Sequence, residues 1–347
     1  MQQYEIKKAD LKKHKEVLIS LLRNDSRGIS ENIFEWKYYH YPYTPPSCLL
    51  IKNNQTGEFV GMGSLFQRIF SINNKLVRVG TLGDLIVKKE YRTFFPAIKL
   101  EKELIAQSSH LGYKFIYSYS TNITAKIFES LSYQKIGTYK QLIKPIKTSN
   151  LVKKFFPPIL QYIKINHIMD FYFNTMAKEN RKKIINQYKI DIFNEFDDRF
   201  DKLFDYLSKR YKILGDRRSR FMNWRYTQDP RYNYNIFCLL EKNNELLGYL
   251  IFLYLENTYY INDICAKNDS ILDILLYEFC YKARKEDIEL IRLRYMGNNN
   301  MLNKLKNYNF YDIKTDREIL IFSKDQEKLP DFLDHSNWQF FTGDKNV

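Results

Sequence analysis

The chain has 347 residues, of which 44% are hydrophobic and 16% aromatic, and its formal net charge is +15. This length fits two domains, and the apolar content excludes a chain that is disordered over most of its length. No run of eighteen apolar residues occurs, so no membrane-spanning helix is expected. The first residues lack the apolar core of a signal peptide, and we expect a cytoplasmic protein.

The four cysteines lie in apolar runs, and none forms a CxxC pair. We therefore expect buried, reduced thiols and no metal site. The positive charge suits a polyanionic ligand, an anionic membrane surface or nucleic acid, although it also reflects a composition rich in Lys, Asn and Tyr. The basic residues are scattered and form no arms, which argues against nucleic acid.

Two parts of the chain resemble each other in order and spacing. Residues 34–38 read Phe-Glu-Trp-Lys-Tyr, and residues 221–226 read Phe-Met-Asn-Trp-Arg-Tyr. A run that begins Cys-Leu-Leu follows each tryptophan, twelve residues later in the first part and fourteen residues later in the second. Further pairs follow in the same order, namely Gly61 and Gly248, Asp84 and Asp263, and Tyr133 and Phe310. The pattern predicts a duplicated unit of roughly 150 residues.

Both units predict the same order of elements. An amphipathic helix begins each unit, a short helix carries the tryptophan, and strands follow that are separated by Asn-rich turns. A long helix comes next, at about 94–111 in the first unit and 270–285 in the second, before a further strand, a short helix and a last strand. This order predicts a mixed sheet with helices on both faces.

Between the units, over 148–190, lysines flank apolar and aromatic residues at near-helical spacing. The pattern is typical of a helical linker that packs its apolar face on both units. It also fits an interfacial helix that lies on an anionic membrane through residues 151–173.

The first unit has a junction of strand, loop and helix that can bind an anion. A helix N-terminus leaves N–H groups unpaired and carries partial positive charge, so it is a ready site for phosphate. Arg92 precedes the predicted helix and adds a full charge. The predicted site comprises Leu85, Ile86, Val87, Arg92, Thr93, Phe94, Phe95, Pro96 and Ala97.

This junction resembles the pyrophosphate loop of the GNAT family of N-acetyltransferases. That loop usually reads Arg or Gln, two residues, Gly, one residue, and Gly or Ala. Arg92 and Ala97 match the pattern, whereas Phe95 stands where the first glycine is expected and Pro96 lies beside it. The resemblance implies acetyl-CoA, or another acyl-CoA, as the co-substrate.

A second stretch, residues 122–133, is similar to the family's run of Asn, two residues, Ala, three residues, Tyr and Glu before Leu-Gly-Phe. The resemblance implies that Asn122 helps to hold the pantetheine arm and that Ala125 lies beside it. Phe128 stands near the tyrosine that often protonates the departing thiolate. A phenyl ring donates no proton, so another acid or water has to serve.

Asp84 is the candidate general base, acting directly or through an ordered water as family members do. It directly precedes Leu85 in an apolar strand. The alternative interpretation is an aspartate at a strand end that accepts a hydrogen bond. Asp263 occupies the matching place in the second unit. In that unit residues 267–270, which stand where the loop should be, contain neither Arg nor Gly, and Asp269 or Ser270 is typical of a helix N-cap. We expect the second unit to shape the acceptor site or the scaffold.

The resemblance covers nearly the whole chain, and the tail 338–344 is similar to that of bacterial paired-GNAT proteins. It implies an α/β (α+β) fold of two tandem GNAT-like lobes, each a mixed, mostly antiparallel sheet flanked by helices. We predict a first lobe over 1–147, a helical linker over 148–190 and a second lobe over 191–347.

The predicted activity is N-acetylation of a small or lipid-linked amine, such as an amino sugar of a surface polysaccharide. Fem-type transferases, which use aminoacyl-tRNA, also contain paired lobes of this kind, and the basic charge suits them. A scaffold that has lost its activity is the third interpretation.

Overall fold

The computed structural model describes residues 3–23, 28–148, 165–180, 187–325, 327 and 329–345. These residues form sixteen strands and ten α-helices. The strands are β1 Tyr4–Lys8, β2 Ser47–Asn53, β3 Phe59–Ile72, β4 Lys75–Val87, β5 Ile116–Thr121, β6 Gln134–Thr138, β7 Lys140–Pro145, β8 Tyr188–Phe193, β9 Ile213–Gly215, β10 Tyr234–Glu241, β11 Leu246–Leu255, β12 Thr258–Ala266, β13 Leu290–Gly297, β14 Tyr311–Ile313, β15 Arg317–Phe322 and β16 Trp338–Phe341. The helices are α1 Lys15–Arg23, α2 Glu31–Phe34, α3 Phe94–His110, α4 Asn122–Glu129, α5 Ile165–Thr175, α6 Asp198–Arg210, α7 Ser219–Met222, α8 Asp269–Lys285, α9 Asn299–Asn307 and α10 Leu329–Leu333.

The first helix of each unit, α1 or α6, buries one apolar face. α1 buries leucines and an isoleucine, and α6 buries Phe200, Leu203, Phe204 and Leu207, as the spacing of their apolar residues requires. α6 begins after Asp197, whose carboxylate accepts from the backbone N–H of Arg199. The long helices α3 and α8 lie within a residue of the predicted ranges.

The repeated tryptophans meet at the centre of the molecule. Each lies in a single π-helical turn, Glu35–Tyr39 or Asn223–Thr227. The two indoles stack at 4.9 Å between ring centroids. Nε1 of Trp36 donates to the carbonyl of Trp224 at 2.8 Å, and Nε1 of Trp224 donates to the carbonyl of Trp36 at 3.0 Å. The two copies therefore face each other in an approximately symmetric way.

The strands form one continuous mixed sheet. In the first unit, β1 to β4 pair antiparallel in sequence order and β4 pairs parallel with β5. In the second unit, β10 to β12 pair antiparallel and β12 pairs parallel with β13. β9 and β16 join the two halves. β9 pairs with β3, β16 pairs with β13, and β9 and β16 pair with each other. The predicted mixed, mostly antiparallel lobes with flanking helices are confirmed.

The two units exchange a strand. β15, from the second half of the chain, pairs with β5 and β6 of the first unit. β7, from the first half, pairs with β13 and β14 of the second unit. Each lobe is therefore built from both halves of the chain. The predicted boundaries at 147 and 190 stay predictions, and sheet pairing crosses both of them.

The linker is described only in part, since residues 149–164 and 181–186 lie outside the described residues. Within it, α5 exposes Ile168, Phe171 and Tyr172. Contact of segment 151–173 with a membrane stays a prediction. Among the described residues, no helix combines the length and the apolar character that crossing a membrane requires.

The cysteines Cys48, Cys238, Cys265 and Cys280 are free and buried, as expected. Burial raises the pKa of the Cys48 thiol to about 12, so it stays protonated at neutral pH. These thiols pack in the core and contribute no reactive group.

Candidate active site

A cavity opens where the parallel strands of the first unit diverge. β4 and β5 pair at Gly80 with Ile116 and at Thr81 with Tyr117, and no further pairing joins these two described strands. The following residues, 82–85 on β4 and 118–121 on β5, line a cavity of about 960 Å³. Its opposite wall comes from the second half of the chain, chiefly β12, β13 and the segment after β16. The cavity therefore lies between the two copies.

The corresponding opening of the second unit is filled by the chain itself. β12 and β13 pair over 258–261 and 290–293. Farther along β13, residues 295–297 pair with β16 instead. The C-terminal strand thus takes the place that remains open in the first unit. Of the two copies, the first is the one with room for a ligand between its parallel strands.

Asp84 lies at a bulge in β4, where the register of β3 and β4 shifts between Met62 and Ser64. Its φ of 51° is in the left-handed region, which most residues with a Cβ avoid and which aspartate adopts more readily than most. Its carboxylate accepts from Lys37 Nζ at 2.7 and 2.8 Å and from the Tyr38 hydroxyl at 2.5 Å. Burial and the Asp84 charge raise the pKa of Tyr38 well above its usual range, so it remains a donor.

Both oxygens of Asp84 are therefore engaged. Asp84 belongs to the cavity wall and is 5% exposed. These contacts occupy three of the roughly four acceptor positions of the carboxylate. The predicted role as general base stays a prediction, and the structure also contains the hydrogen-bonded aspartate that the sequence offered as the alternative.

Asp263 is at the matching bulge of β12 but has different partners. Arg217 Nε lies 2.6 Å from its Oδ2, and Arg217 also pairs with Asp344, with Nη1 at 2.7 Å from Oδ1. All three groups are buried. Burial raises the pKa of Asp263, and Arg217 opposes that shift. The C-terminal segment is thereby held against β12 by buried charges.

The predicted phosphate loop has the expected secondary structure. α3 begins at Phe94 after the N-cap Thr93, and the Arg92 side chain donates from Nε to the carbonyl of Val87 at 2.9 Å. Phe95 is 58% exposed, whereas Pro96 and Ala97 are buried. Pro96 has no N–H, so the first turn of α3 has one donor fewer than usual.

The remaining strand residues of this predicted site divide between the cavity and the core. Leu85 belongs to the cavity wall, and Ile86 and Val87 are buried at the end of β4. The Phe94 side chain lies outside the described residues. The roles of all these residues in binding a phosphate stay predictions.

The second predicted stretch forms α4, directly after β5. Thr121 caps this helix, since its hydroxyl and that of Thr124 accept from each other's backbone N–H. Ala125 and Phe128 are buried, and Phe128 lines the cavity with its ring 5.1 Å from that of Tyr133. α4 begins at Asn122, whose side chain lies outside the described residues.

Six basic side chains line the cavity, most of them on the wall opposite β4 and β5, and the sequence analysis missed them because it treated the basic residues as scattered. They are Arg225, Arg231, Arg292, Arg294, Arg317 and Lys345. Asp84 is the one acidic residue in the described cavity wall. Two signals were available: Arg292 and Arg294 alternate on one strand, and Arg225 occupies the repeat position of Lys37.

The Lys345 ammonium lies buried beside other basic side chains of this wall. Burial, followed by the charges of Arg225, Arg294, Arg231 and Arg317, lowers the pKa of Lys345 to about 7. Like charges close together disfavour its protonated form. No cluster of His, Cys, Asp or Glu suited to a metal ion occurs within the described ranges.

These features define the protein's fold class. Antiparallel strands that lead into a diverging parallel pair, with a helix between the parallel strands, occur in both copies and make up the GNAT-type fold. No protein-family model and no curated protein sequence matches the chain. The fold is nevertheless matched by solved structures over nearly the whole chain.

Three of these structures illustrate the match. A conserved protein from Enterococcus faecalis, described as a probable N-acyltransferase, superposes with a TM-score of 0.67 at 13% identity, over 93% of this chain and 73% of its own. A GCN5-related N-acetyltransferase from Anabaena variabilis gives 0.63 at 12% identity, over 92% and 72%. Saccharomyces cerevisiae N-myristoyltransferase with bound myristoyl-CoA gives 0.59 at 13% identity, over 93% and 79%.

At these identities the likeness establishes the GNAT fold that the sequence predicted. The closer resemblance to paired-GNAT and Fem-type proteins stays a prediction. The roles of individual residues have to be argued from the site of this chain.

Proposed function

We propose that the chain is an acyl-CoA-dependent N-acyltransferase whose first copy binds the thioester and whose second copy presents the amine. The observation that carries this proposal is the divergence of β4 and β5 into a cavity shared by the two copies. A slot between two strands can admit an extended arm, and the second copy supplies the wall from which an acceptor approaches the end of that arm.

The open strand edges suit a pantetheine arm. Backbone N–H and C=O groups of 82–85 and 118–121 lie beside the cavity without strand partners between β4 and β5. An arm that contains amide groups can pair with such an edge as another strand would. In this arrangement the first turn of α3 and Arg92 bind the pyrophosphate, and Asn122 and Ala125 at α4 flank the arm.

The reaction is acyl transfer by direct attack. The amine nitrogen bonds to the thioester carbonyl carbon, the carbon–sulfur bond breaks, one amine proton passes to a base, and the thiolate takes up a proton to give free CoA. Asp84, directly or through water, is the proposed base. Positioning of the two substrates supplies most of the rate enhancement. Because Phe128 cannot donate a proton, water or another acid protonates the thiolate.

We propose acetyl-CoA as the donor and an amino sugar, small or lipid-linked, as the acceptor in a surface polysaccharide pathway. The yeast neighbour holds myristoyl-CoA, so donors of different chain length have to be compared. Leu82, Leu85 and Phe128 make part of the cavity wall apolar, which fits an acyl group.

Calorimetric titration with acetyl-, octanoyl- and myristoyl-CoA tests this function. We expect micromolar binding of acetyl-CoA by the wild type and at least roughly tenfold weaker binding by Arg92→Ala, because a guanidinium–phosphate contact is charge-assisted. Arg210→Ala is the matched control, since Arg210 pairs with Asp269 away from both the cavity and the loop. It should bind as the wild type does.

Failure of every acyl-CoA to bind would refute the acyl-CoA proposal. Binding of charged tRNA with a steep dependence on salt would then favour the Fem-type alternative. A protein that binds neither would be a scaffold.

A further inference from the structure

The cationic wall of the cavity carries more charge than its own protein partners neutralise. Arg231 is neutralised by Asp229, which accepts from Nε at 2.8 Å and from Nη2 at 2.7 Å. Asp84, on the opposite wall, is neutralised by Lys37. In the part of the chain that the structure describes, no carboxylate pairs with Arg225, Arg292 or Arg294. The wall therefore retains a net positive charge that nothing described in the protein balances.

Arg225 is the most constrained of these cations. It is 5% exposed, and its one described hydrogen bond runs from Nη2 to the carbonyl of Thr342 at 3.2 Å. Its Nε and Nη1 are buried without a partner. A buried guanidinium whose donors are left unpaired is costly, so its conformation is explained best by a ligand that supplies the missing acceptors.

The duplicated unit shows why Arg225 is unpaired. Its counterpart Lys37 donates to Asp84. The counterpart of Asp84 is Asp263, and Arg217 occupies that carboxylate instead. Arg225 is left to line the cavity. At this repeat position the first copy has a buried ion pair, whereas the second has an arginine at the cavity wall with no carboxylate partner among the described residues.

Other cations surround the same space. Within the described ranges Arg294 donates to two neutral groups, the hydroxyl of Tyr119 at 3.1 Å and the side-chain oxygen of Gln141 at 3.2 Å. Lys345 and Arg317 lie 5.5 and 5.7 Å from the centre of the Tyr119 ring. Arg292 has its Nε buried without a partner.

We propose that this wall binds a phosphate or diphosphate group of the acceptor, so that the substrate is a phosphorylated amine. Phosphate is doubly charged and offers several acceptor oxygens, and the fork of a guanidinium matches it in geometry. Among the described residues, Arg92 and residues 93–97 of the predicted phosphate site do not line the cavity, so the proposed site is separate from the one assigned to the CoA pyrophosphate. That the anion belongs to the acceptor substrate rests on the proposed function, whereas the anion site itself does not.

Calorimetric titration with inorganic pyrophosphate tests the site. We expect the wild type to bind it and binding to weaken as salt is added. Arg225→Met and Arg292→Gln should each bind roughly tenfold more weakly or worse, because each loses a charge-assisted contact. Arg210→Gln removes one surface arginine and should bind as the wild type does.

Thermal unfolding of Arg225→Met without ligand separates a binding role from a structural one. Removal of an unpaired buried cation from a group of like charges should raise the melting temperature. A structural role predicts a lower melting temperature instead. At the same concentration, pyrophosphate should raise the melting temperature of the wild type more than that of Arg225→Met.

A competition experiment distinguishes this site from the one for CoA. We expect pyrophosphate to bind wild-type protein that is already saturated with acetyl-CoA. If acetyl-CoA displaces it, or if Arg225→Met loses acetyl-CoA binding to the same extent, the cations belong to the CoA site and the proposal is wrong. Absence of pyrophosphate binding also refutes it. If pyrophosphate binds through Arg225 and acyl-CoA does not bind, the anion site stands and the proposed function falls.

Discussion

The two copies of the repeat differ most where their sequences look most alike. Lys37 and Arg225 follow the paired tryptophans, yet Lys37 is neutralised in the core of the first copy and Arg225 faces the cavity from the second. The difference arises from a third residue, Arg217, which takes the second copy's aspartate. The repeat position is therefore basic in both copies but has different surroundings, because Arg217 pairs with the aspartate of the second copy.

A second contrast concerns the long helices. Glu101 is the eighth residue of α3 and Leu276 the eighth residue of α8, and both are buried completely. The Tyr133 hydroxyl donates to Glu101 at 2.7 Å, and the matching residue of the second copy is Phe310. The first copy buries a polar pair, whereas the residues at the matching places of the second copy are both apolar and buried.

The largest expected effect tests the first contrast. Lys37→Met should lower the free energy of unfolding by about 3–5 kcal/mol, because it leaves the Asp84 charge buried with no cation beside it. Urea denaturation measures this loss. Lys202→Met is the control, since Lys202 is 77% exposed in a pair with Asp198, and its midpoint should not move. If Lys37→Met has the stability of the wild type, the two repeat positions are not different in the way described.

The second contrast predicts a dependence of stability on pH. Burial raises the pKa of Glu101 to about 8, so the folded state holds a proton that the unfolded state has lost above its ordinary pKa. The stability that this proton provides is complete below the unfolded pKa and is lost as pH rises through the folded one. We expect a loss on the order of 3 kcal/mol between pH 5 and pH 8.

The double variant Glu101→Leu with Tyr133→Phe gives the first copy the apolar pair of the second. Its urea midpoint should depend less on pH over the same range, and it should be more stable than the wild type at pH 8. Glu101→Gln keeps a hydrogen-bonding partner for Tyr133 and is the matched control for the lost charge. An unchanged pH profile in both variants would mean that Glu101 does not titrate as described.

The smallest expected effect concerns the contact that joins the copies. Trp36→Phe and Trp224→Phe each remove one donor to a buried carbonyl and should each cost about 1–2 kcal/mol. The double variant should show a coupling of at least about 0.5 kcal/mol, because the two indoles stack on each other.

Trp338→Phe provides the comparison for this coupling. Its Nε1 donates to the carbonyl of Phe332 at 2.8 Å, in a different part of the core. Combined with Trp36→Phe, it should be additive. Additivity of the two central tryptophans as well would show that the copies do not support each other there.

Much of the fold followed from local sequence patterns. The helices α3 and α8, the repeat and the mixed sheet were predicted because apolar spacing and turn residues act over short distances. The exchange of β7 and β15 was not predicted, since which strand lies beside β5 depends on contacts some 200 residues apart. The candidate site was predicted at the phosphate loop, at α4 and at Asp84, where residues follow one another along the chain.

The cationic wall was missed for the same physical reason. The basic residues of this wall come from separate elements. They lie around one cavity only once the two copies pack against each other. Even the engagement of Asp84 by Lys37 and Tyr38 required the π-helical turn to lie against β4. Sequence spacing along one strand carries no information about such a partner.

The exchanged strand also fixes when the protein can acquire its shape during synthesis. The edge of β5 stays uncovered until β15 has been synthesised, because β15 follows it by roughly 200 residues along the chain. Until then the nascent first half presents an uncovered β edge, which is the part of a folding chain that most readily pairs with another copy. The cavity can therefore form only after both halves of the chain have been synthesised, and a chain cut short before residue 317 cannot complete either lobe.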